Sequence, residues 1–162
     1  MVSFRAMKKS PFHIVLVEPE IPPNTGNIAR LCAATGTVLH LVGKLGFSLE
    51  DRYLKRAGLD YWPAVELHRW DDLEQLQKAH PEGRFWYTSK KAQAAHHQVQ
   101  YKQGDFLVFG KETAGLPDSL LSAHPERTIR IPLYSPAVRS LNLSTATGIV
   151  LYEALRQTDS LA

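Results

Sequence analysis

At 162 residues, with 44% hydrophobic and 22% charged side chains, the chain has the size and composition of one globular domain. On folding, such a domain buries roughly 68–70% of the surface its unfolded form exposes. A single cysteine excludes a disulfide scaffold, no apolar run reaches membrane-spanning length, and the start MVSFRAMKKS lacks the apolar segment of a secretory signal, so a cytoplasmic protein with no membrane partner is expected.

The net charge of +3 is carried by the first ten residues, which hold Arg5, Lys8 and Lys9 and no acid; from residue 11 onward basic and acidic side chains balance. A nucleic-acid footprint must therefore be a local patch and not a field over the whole body. The expected organisation is a flexible basic extension over 1–11, one domain over 12–158 and a tail over 159–162.

The apolar, β-branched run HIVLV at 13–17 predicts a buried strand. A helix follows, capped by Asn24 or Thr25, with Ile28, Leu31, Cys32 and Thr35 as its buried stripe and Gly36 as its stop. VLHLV at 38–42 predicts a second strand, residues 50–57 a short amphipathic helix, and Val65–Leu67 a brief strand. Asp71 is expected to cap a helix running to Ala79, stopped by His80-Pro81. Strands at Phe85–Thr88 and Phe106–Phe109, a helix near Asp118–Ser122, a strand at Thr128–Ile131 and a last helix from about Asn142 complete the pattern, with Leu143, Ala146, Val150 and Ala154 along one side of that helix. Strands alternating with helices define an α/β class, a mainly parallel sheet flanked by helices.

Absent motifs narrow the chemistry. There is no G-x-G-x-x-G after the first strand, no phosphate-binding P-loop and no nucleophile elbow. Cys32 lies on a buried stripe and reads as a small core hydrophobe, and the seven histidines show no metal-ligand spacing, so no metal is expected.

Three loops remain, each after a predicted strand, where open α/β sheets bind ligands. In Glu18–Asn27, Pro19, Pro22 and Pro23 fix the backbone, Gly26 permits close approach, and Arg30 follows one turn into the helix. In Gly110–Pro117 the strand runs straight into Gly110, so a planar group could lie on bare backbone, and Gly115 is expected at positive φ. In Ile131–Asn142, capping accounts for Ser140 or Asn142 as well as ligand binding does, whereas Arg139 has no capping role.

Together, PEIPPNTGNIAR at 19–30, FGKETAGLP at 109–117 and IP…RSLNLS at 131–144, in this order, resemble the three motifs of the SPOUT (SpoU–TrmD) RNA methyltransferases, and most closely their small tRNA (cytidine/uridine-34-2′-O)-methyltransferases. AGLDYW at 57–62 adds a fourth stretch, and the similarity runs from about Ile14 to Gln157. The resemblance implies a deep trefoil knot at the C-terminal end and a homodimer. It implies S-adenosyl-L-methionine as cofactor, with S-adenosyl-L-homocysteine as product, and methylation of the ribose 2′-OH of C34 or U34, in the anticodon loop of particular leucine tRNAs.

Carried over by position, Tyr87, Gly110, Ile131 and Ser140 are the implied cofactor contacts, the first three through backbone groups, with Leu116, Leu133 and Leu141 as walls for the adenine. Arg30 is the expected catalytic group; a guanidinium stays protonated, so it fits a role holding a phosphate or the 2′-oxygen better than that of a base. Asn142 and Arg139 follow, to orient the ribose and hold the RNA backbone, and Glu112 is either near the sulfonium or an ordinary surface acid.

For RNA contact the candidates are Arg5, Lys8 and Lys9, then Arg52, Lys55 and Arg56 on one helical face, and Lys90 and Lys91, with Tyr53 or Tyr61 as stacking rings. The competing readings are 2′-O-methylation of a different tRNA or rRNA nucleotide, and a non-catalytic RNA-binding factor on the same scaffold.

Overall fold

A computed structural model gives the fold for residues 10–58 and 61–161, without the side chains at positions 53, 57 and 58. The basic segment with Arg5, Lys8 and Lys9, and Leu59 and Asp60 of the 57–62 stretch, lie outside these described residues.

The run His13–Val17 forms β1, followed by α1 (Pro22–Thr35), β2 (Val38–Val42), α2 (Arg52–Gly58), β3 (Leu67–Trp70), α3 (Leu73–Ala79), β4 (Phe85–Thr88), β5 (Ala94–Ala95), β6 (Phe106–Phe109), α4 (Asp118–Ala123), β7 (Thr128–Arg130) and α5 (Leu143–Gln157). All seven strands join one sheet in the order β3-β2-β1-β6-β4-β7-β5, and every ladder in it is parallel. A parallel sheet is covered on both faces, which is why its strands read as apolar runs. On one face Ile14, Leu16, Leu39, Leu41, Leu107 and Ile129 pack against Ile28 and Cys32 of α1 and Val150, Leu151 and Ala154 of α5. On the other, Val15, Phe85, Tyr87 and Val108 meet Leu76 of α3 and Leu121 of α4.

Several boundaries differ from the sequence reading. Helix α1 starts at Pro22, not after Asn24 or Thr25, because two prolines fit the first turn, where no N–H partner is required; Asn24 and Thr25 are buried within it. Gly36 ends it as expected, at φ 66°. Strand β3 lies at 67–70 and not 65–67, since Trp62–Ala64 forms a 3₁₀ turn and pairing with β2 begins at Leu67. Asp72, not Asp71, caps α3, its carboxylate accepting from the Gln75 amide at 2.8 Å. Strand β5 has two residues, too short for any periodicity to reveal. Ser10 and Pro11, assigned by sequence to the extension, are hydrogen-bonded to the domain through Thr35 and Gly104.

At the amino-terminal end of the sheet, away from the three loops, His13 and His40 share a hydrogen bond of 2.9 Å, and the Trp70 indole donates to the other nitrogen of His40 at 2.9 Å. His40 is 1% exposed. Burial, reinforced by neighbouring histidines, lowers His40 to about 3 and His13 to about 4; His68, His80 and Glu66 are the other groups acting on the pair. Both folded values lie below the unfolded value of 6.5, so this contribution is complete above pH 6.5 and is lost as pH falls toward 4 for His13 and toward 3 for His40. Between pH 7 and pH 5 His40 alone removes about 2 kcal/mol of stability. Urea unfolding at the two pH values checks this, and His40→Leu should shrink the difference by roughly half.

Candidate active site

The carboxyl ends of β4, β6 and β7 and the first turn of α1 surround one cavity of about 470 Å³, a size typical of small-molecule sites. Ile21 and Asn24 come from α1, Thr88–Lys91 from the segment after β4, Phe109–Leu116 from the loop after β6, and Ile131, Leu133 and Arg139–Leu143 from the loop after β7. This is the end of a parallel sheet at which ligands bind.

Chain geometry explains the loop after β6. A Cβ on Gly110 would lie 2.1 Å from the carbonyl carbon of Gly115 and 2.3 Å from the amide nitrogen of Leu116. Glycine at 110 thus lets the loop fold back upon its own strand end, where the Gly115 amide donates to the Lys111 carbonyl at 2.8 Å. Gly115 has φ 68°, as the sequence reading required. The return buries Leu116 as a cavity wall.

Side chains distant in sequence tie the loops together. No side chain of its own caps α1; instead the Glu112 carboxylate accepts from the amides of Glu20 (3.1 Å) and Ile21 (2.5 Å). In return the Glu20 carboxylate accepts from the amide (3.0 Å) and hydroxyl (2.6 Å) of Thr113, bonds that hold its carboxyl below the ordinary range. Asn142 caps α5, accepting from the amides of Ser144 (2.9 Å) and Thr145 (3.4 Å), and its amide donates to Oδ1 of the buried Asn24 at 3.0 Å. One residue therefore both starts the last helix and fastens it to the first.

Glu112 is accordingly a helix cap contributed from 91 residues away, and not the surface acid that sequence leaves open. Glu112→Ala should cost about 1 kcal/mol of stability, the usual price of a lost cap, with weakened cofactor binding. Glu112→Gln, which keeps an acceptor oxygen, should recover most of both. Denaturant unfolding and calorimetry check the pair.

Of the expected cofactor residues, Gly110, Leu116, Ile131, Leu133, Ser140 and Leu141 all line the cavity. The Tyr87 ring is turned away from it, buried and stacked on His124 at 4.9 Å with its hydroxyl accepting from Gln77, so only its backbone, at the end of β4, is left to meet a cofactor. The next residue, Thr88, borders the cavity. Arg139, Asn142, Lys90 and Lys91 also line it; Lys91 pairs with Asp118 at 3.6 Å.

Arg30 is not at the cavity of its own chain. It is exposed on α1, its guanidinium 5.1 Å from the centroid of the Tyr61 ring. That leaves Tyr61 packed under a cation. Arg52, Lys55 and Arg56 share the exposed side of α2 away from the cavity, with Lys55 paired to Glu50. Thr88, Ser89 and Arg130 are cavity residues that sequence reasoning passed over; their place at the ends of predicted strands was the available signal.

Nothing among the described residues forms a nucleophile with an adjacent base here. Cys32 is buried away from the cavity and its thiol is pushed up to about 12 by burial, so it is an inert core residue. Among the described residues, no three or more His, Cys, Asp or Glu side chains are grouped to hold a metal ion, and no helix is long and apolar enough to cross a membrane. Apolar walls and cations at the rim suit binding and positioning of a polar ligand.

These features agree with comparison to known proteins. The chain belongs to the SpoU rRNA methylase family, whose sequence pattern matches residues 11–152. It is similar to the tRNA (cytidine(34)-2'-O)-methyltransferase of Escherichia coli (strain K12), 50% identical over 146 residues that cover 90% of this chain and 92% of that protein. The tRNA (cytidine(34)-2'-O)-methyltransferase of Saccharophagus degradans is 51% identical over 150 residues, covering 90% and 95%. A solved structure described under the 2-OH methylation of C/U34 on tRNA superposes with a TM-score of 0.86 at 46% identity, covering 91% of this chain and 97% of its own. The AdoMet-bound rRNA methyltransferase of Sinorhizobium meliloti superposes with a TM-score of 0.80 at 28% identity, covering 93% and 57%.

Proposed function

We propose that this protein transfers a methyl group from S-adenosyl-L-methionine to the ribose 2′-OH of nucleotide 34, C or U, in the anticodon loop of tRNA, with particular leucine tRNAs as substrates, in the cytoplasm. The observation that carries the reading is that the three motif loops, separated by up to 118 residues, are hydrogen-bonded into the rim of one cavity.

The cavity residues fit the cofactor. Leu116, Leu133 and Leu141 offer apolar surface to an adenine, while Gly110, Ile131 and Ser140 present backbone groups to its polar edges. When bound, S-adenosylmethionine supplies an electrophilic methyl group on a sulfonium. The protein's task is to hold the ribose hydroxyl in line and relieve it of a proton. Alignment is worth roughly 7–11 kcal/mol, whereas a base adds about 10²–10⁴-fold, so positioning carries most of the rate.

Arg139 at the rim suits the RNA backbone. Asn142 orients the ribose only through whatever its amide has free, since its oxygen is used in capping. Arg30 lies six residues beyond Asn24, about 9 Å along the helix, and serves as a fixed cation across a homodimer, reaching the cavity of the second protomer. Its exposure, and that of Tyr152 on the neighbouring α5 (45%), support that arrangement. Lys90, Lys91 and the α2 cations Arg52, Lys55 and Arg56 then contact the anticodon arm.

The C-terminal segment is further read as a deep trefoil knot. Its support is the insertion of the last strand, β7, between β4 and β5, after which α5 returns to α1; ordinary connections run along a sheet without such threading.

The test is calorimetric titration with S-adenosylmethionine, followed by transfer of a labelled methyl group to tRNA lacking the modification. Binding and labelled tRNA are expected; no binding of the cofactor at all would favour the non-catalytic RNA-binding reading.

A further inference from the structure

The loop after β7 carries more apolar surface into water than any packing role explains. Tyr134 is 98% exposed, and Leu133 and Val138 beside it are 39% and 49% exposed. The loop is ordered locally: the Ala137 amide donates to the Ser135 hydroxyl at 3.2 Å and the Val138 amide to the Ser135 carbonyl at 3.5 Å, around Pro136. A tyrosine ring is thus held out from a turn with no contact of its own. Leu133, its immediate neighbour, lines the cavity, as does Arg139 five residues on.

Resting on the function proposed above, we infer that Tyr134 is a substrate-positioning residue whose ring stacks on the base of the nucleotide being methylated. With the ribose over the cavity, its base must lie outside, beside the wall formed by Leu133. A ring one residue further along the chain, about 3.8 Å away at the backbone, is within reach of it. The surroundings suit nucleic acid: Lys90, Lys91 and Arg139 rim the same opening. Single-stranded RNA is recognised by bases splayed onto aromatic rings, and a ring accepts C or U alike because every base has a π face.

The test uses full-length tRNA assembled from two halves, one version intact and one carrying an abasic ribose at the target position, with affinity read by fluorescence anisotropy in the presence of S-adenosylhomocysteine. A stack of ordinary strength predicts that Tyr134→Ala weakens intact tRNA binding by about 5- to 150-fold, with Tyr134→Phe near the wild type. On the abasic tRNA the wild type and Tyr134→Ala should agree within about twofold, and cofactor affinity should not change. Equal binding of intact tRNA by wild type and Tyr134→Ala overturns the inference. So does a deficit that persists on abasic tRNA, or one accompanied by altered sedimentation, which would assign the ring to a contact between protomers. Absence of methyl transfer by the wild type to intact tRNA is a separate result, and it removes the underlying reading itself.

Discussion

Gly110→Ala is expected to weaken S-adenosylmethionine binding by at least about 100-fold, or ~2.7 kcal/mol. The added carbon would sit 2.1, 2.3 and 2.6 Å from atoms of the Gly115 and Leu116 main chain, none of which is the movable end of a side chain. The loop must swing off the strand end, and Leu116 leaves the cavity wall with it. The β6 core below is paired on both sides over Phe106–Val108, with Phe109 paired to β1 alone, and should stay folded. Gly115→Ala is the control. It meets nothing within 4 Å, so its cost is the left-handed backbone alone, about 1–2 kcal/mol, and it leaves the loop's path open. Calorimetry on both variants, with circular dichroism for the fold, checks the difference. Wild-type affinity in Gly110→Ala would mean that the loop does not take this path when the cofactor is bound.

Arg30→Ala should lower the rate of methyl transfer by about 10²–10⁴-fold, the range seen when a preorganised charge or proton-handling group is removed. Cofactor affinity should stay within about twofold, because Arg30 does not line the cavity of its own chain. Arg30→Lys should recover little, since an ammonium lacks the planar fork that binds a phosphate or developing oxyanion at two points. Single-turnover kinetics alongside calorimetry separate the effects. Parallel loss of binding and transfer would make Arg30 a structural residue, held over Tyr61 for packing.

Most of the framework was legible in the sequence because it depends on local signals. The sequence pattern placed five of the seven strands described, with β3 set early and β5 missed, Gly36 and Gly115 stand at the positive φ their sequence contexts demanded, and the three polar loops fell at strand ends where a parallel sheet opens. What escaped depends on partners far along the chain. Nothing near α1 shows that its N-terminus is capped by Glu112, or that Asn24 is a buried partner of Asn142 and not a cap. Nor does the sequence show on which face the Tyr87 ring is buried; strand alternation turns it against His124. Arg30 was singled out by its motif alone; that it stands off the cavity of its own chain depends on the helix starting at Pro22 and on the way α1 lies across the sheet.

We propose that the cavity serves 2′-O-methylation of nucleotide 34. The most direct test is incubation of the protein with unmodified bulk tRNA and methyl-labelled S-adenosylmethionine, then nuclease digestion and mass spectrometry of the fragments. A 2′-O-methylated cytidine or uridine at position 34 of a restricted set of tRNAs is the expected product. A labelled ribose at another position, or a label on a base, would contradict it.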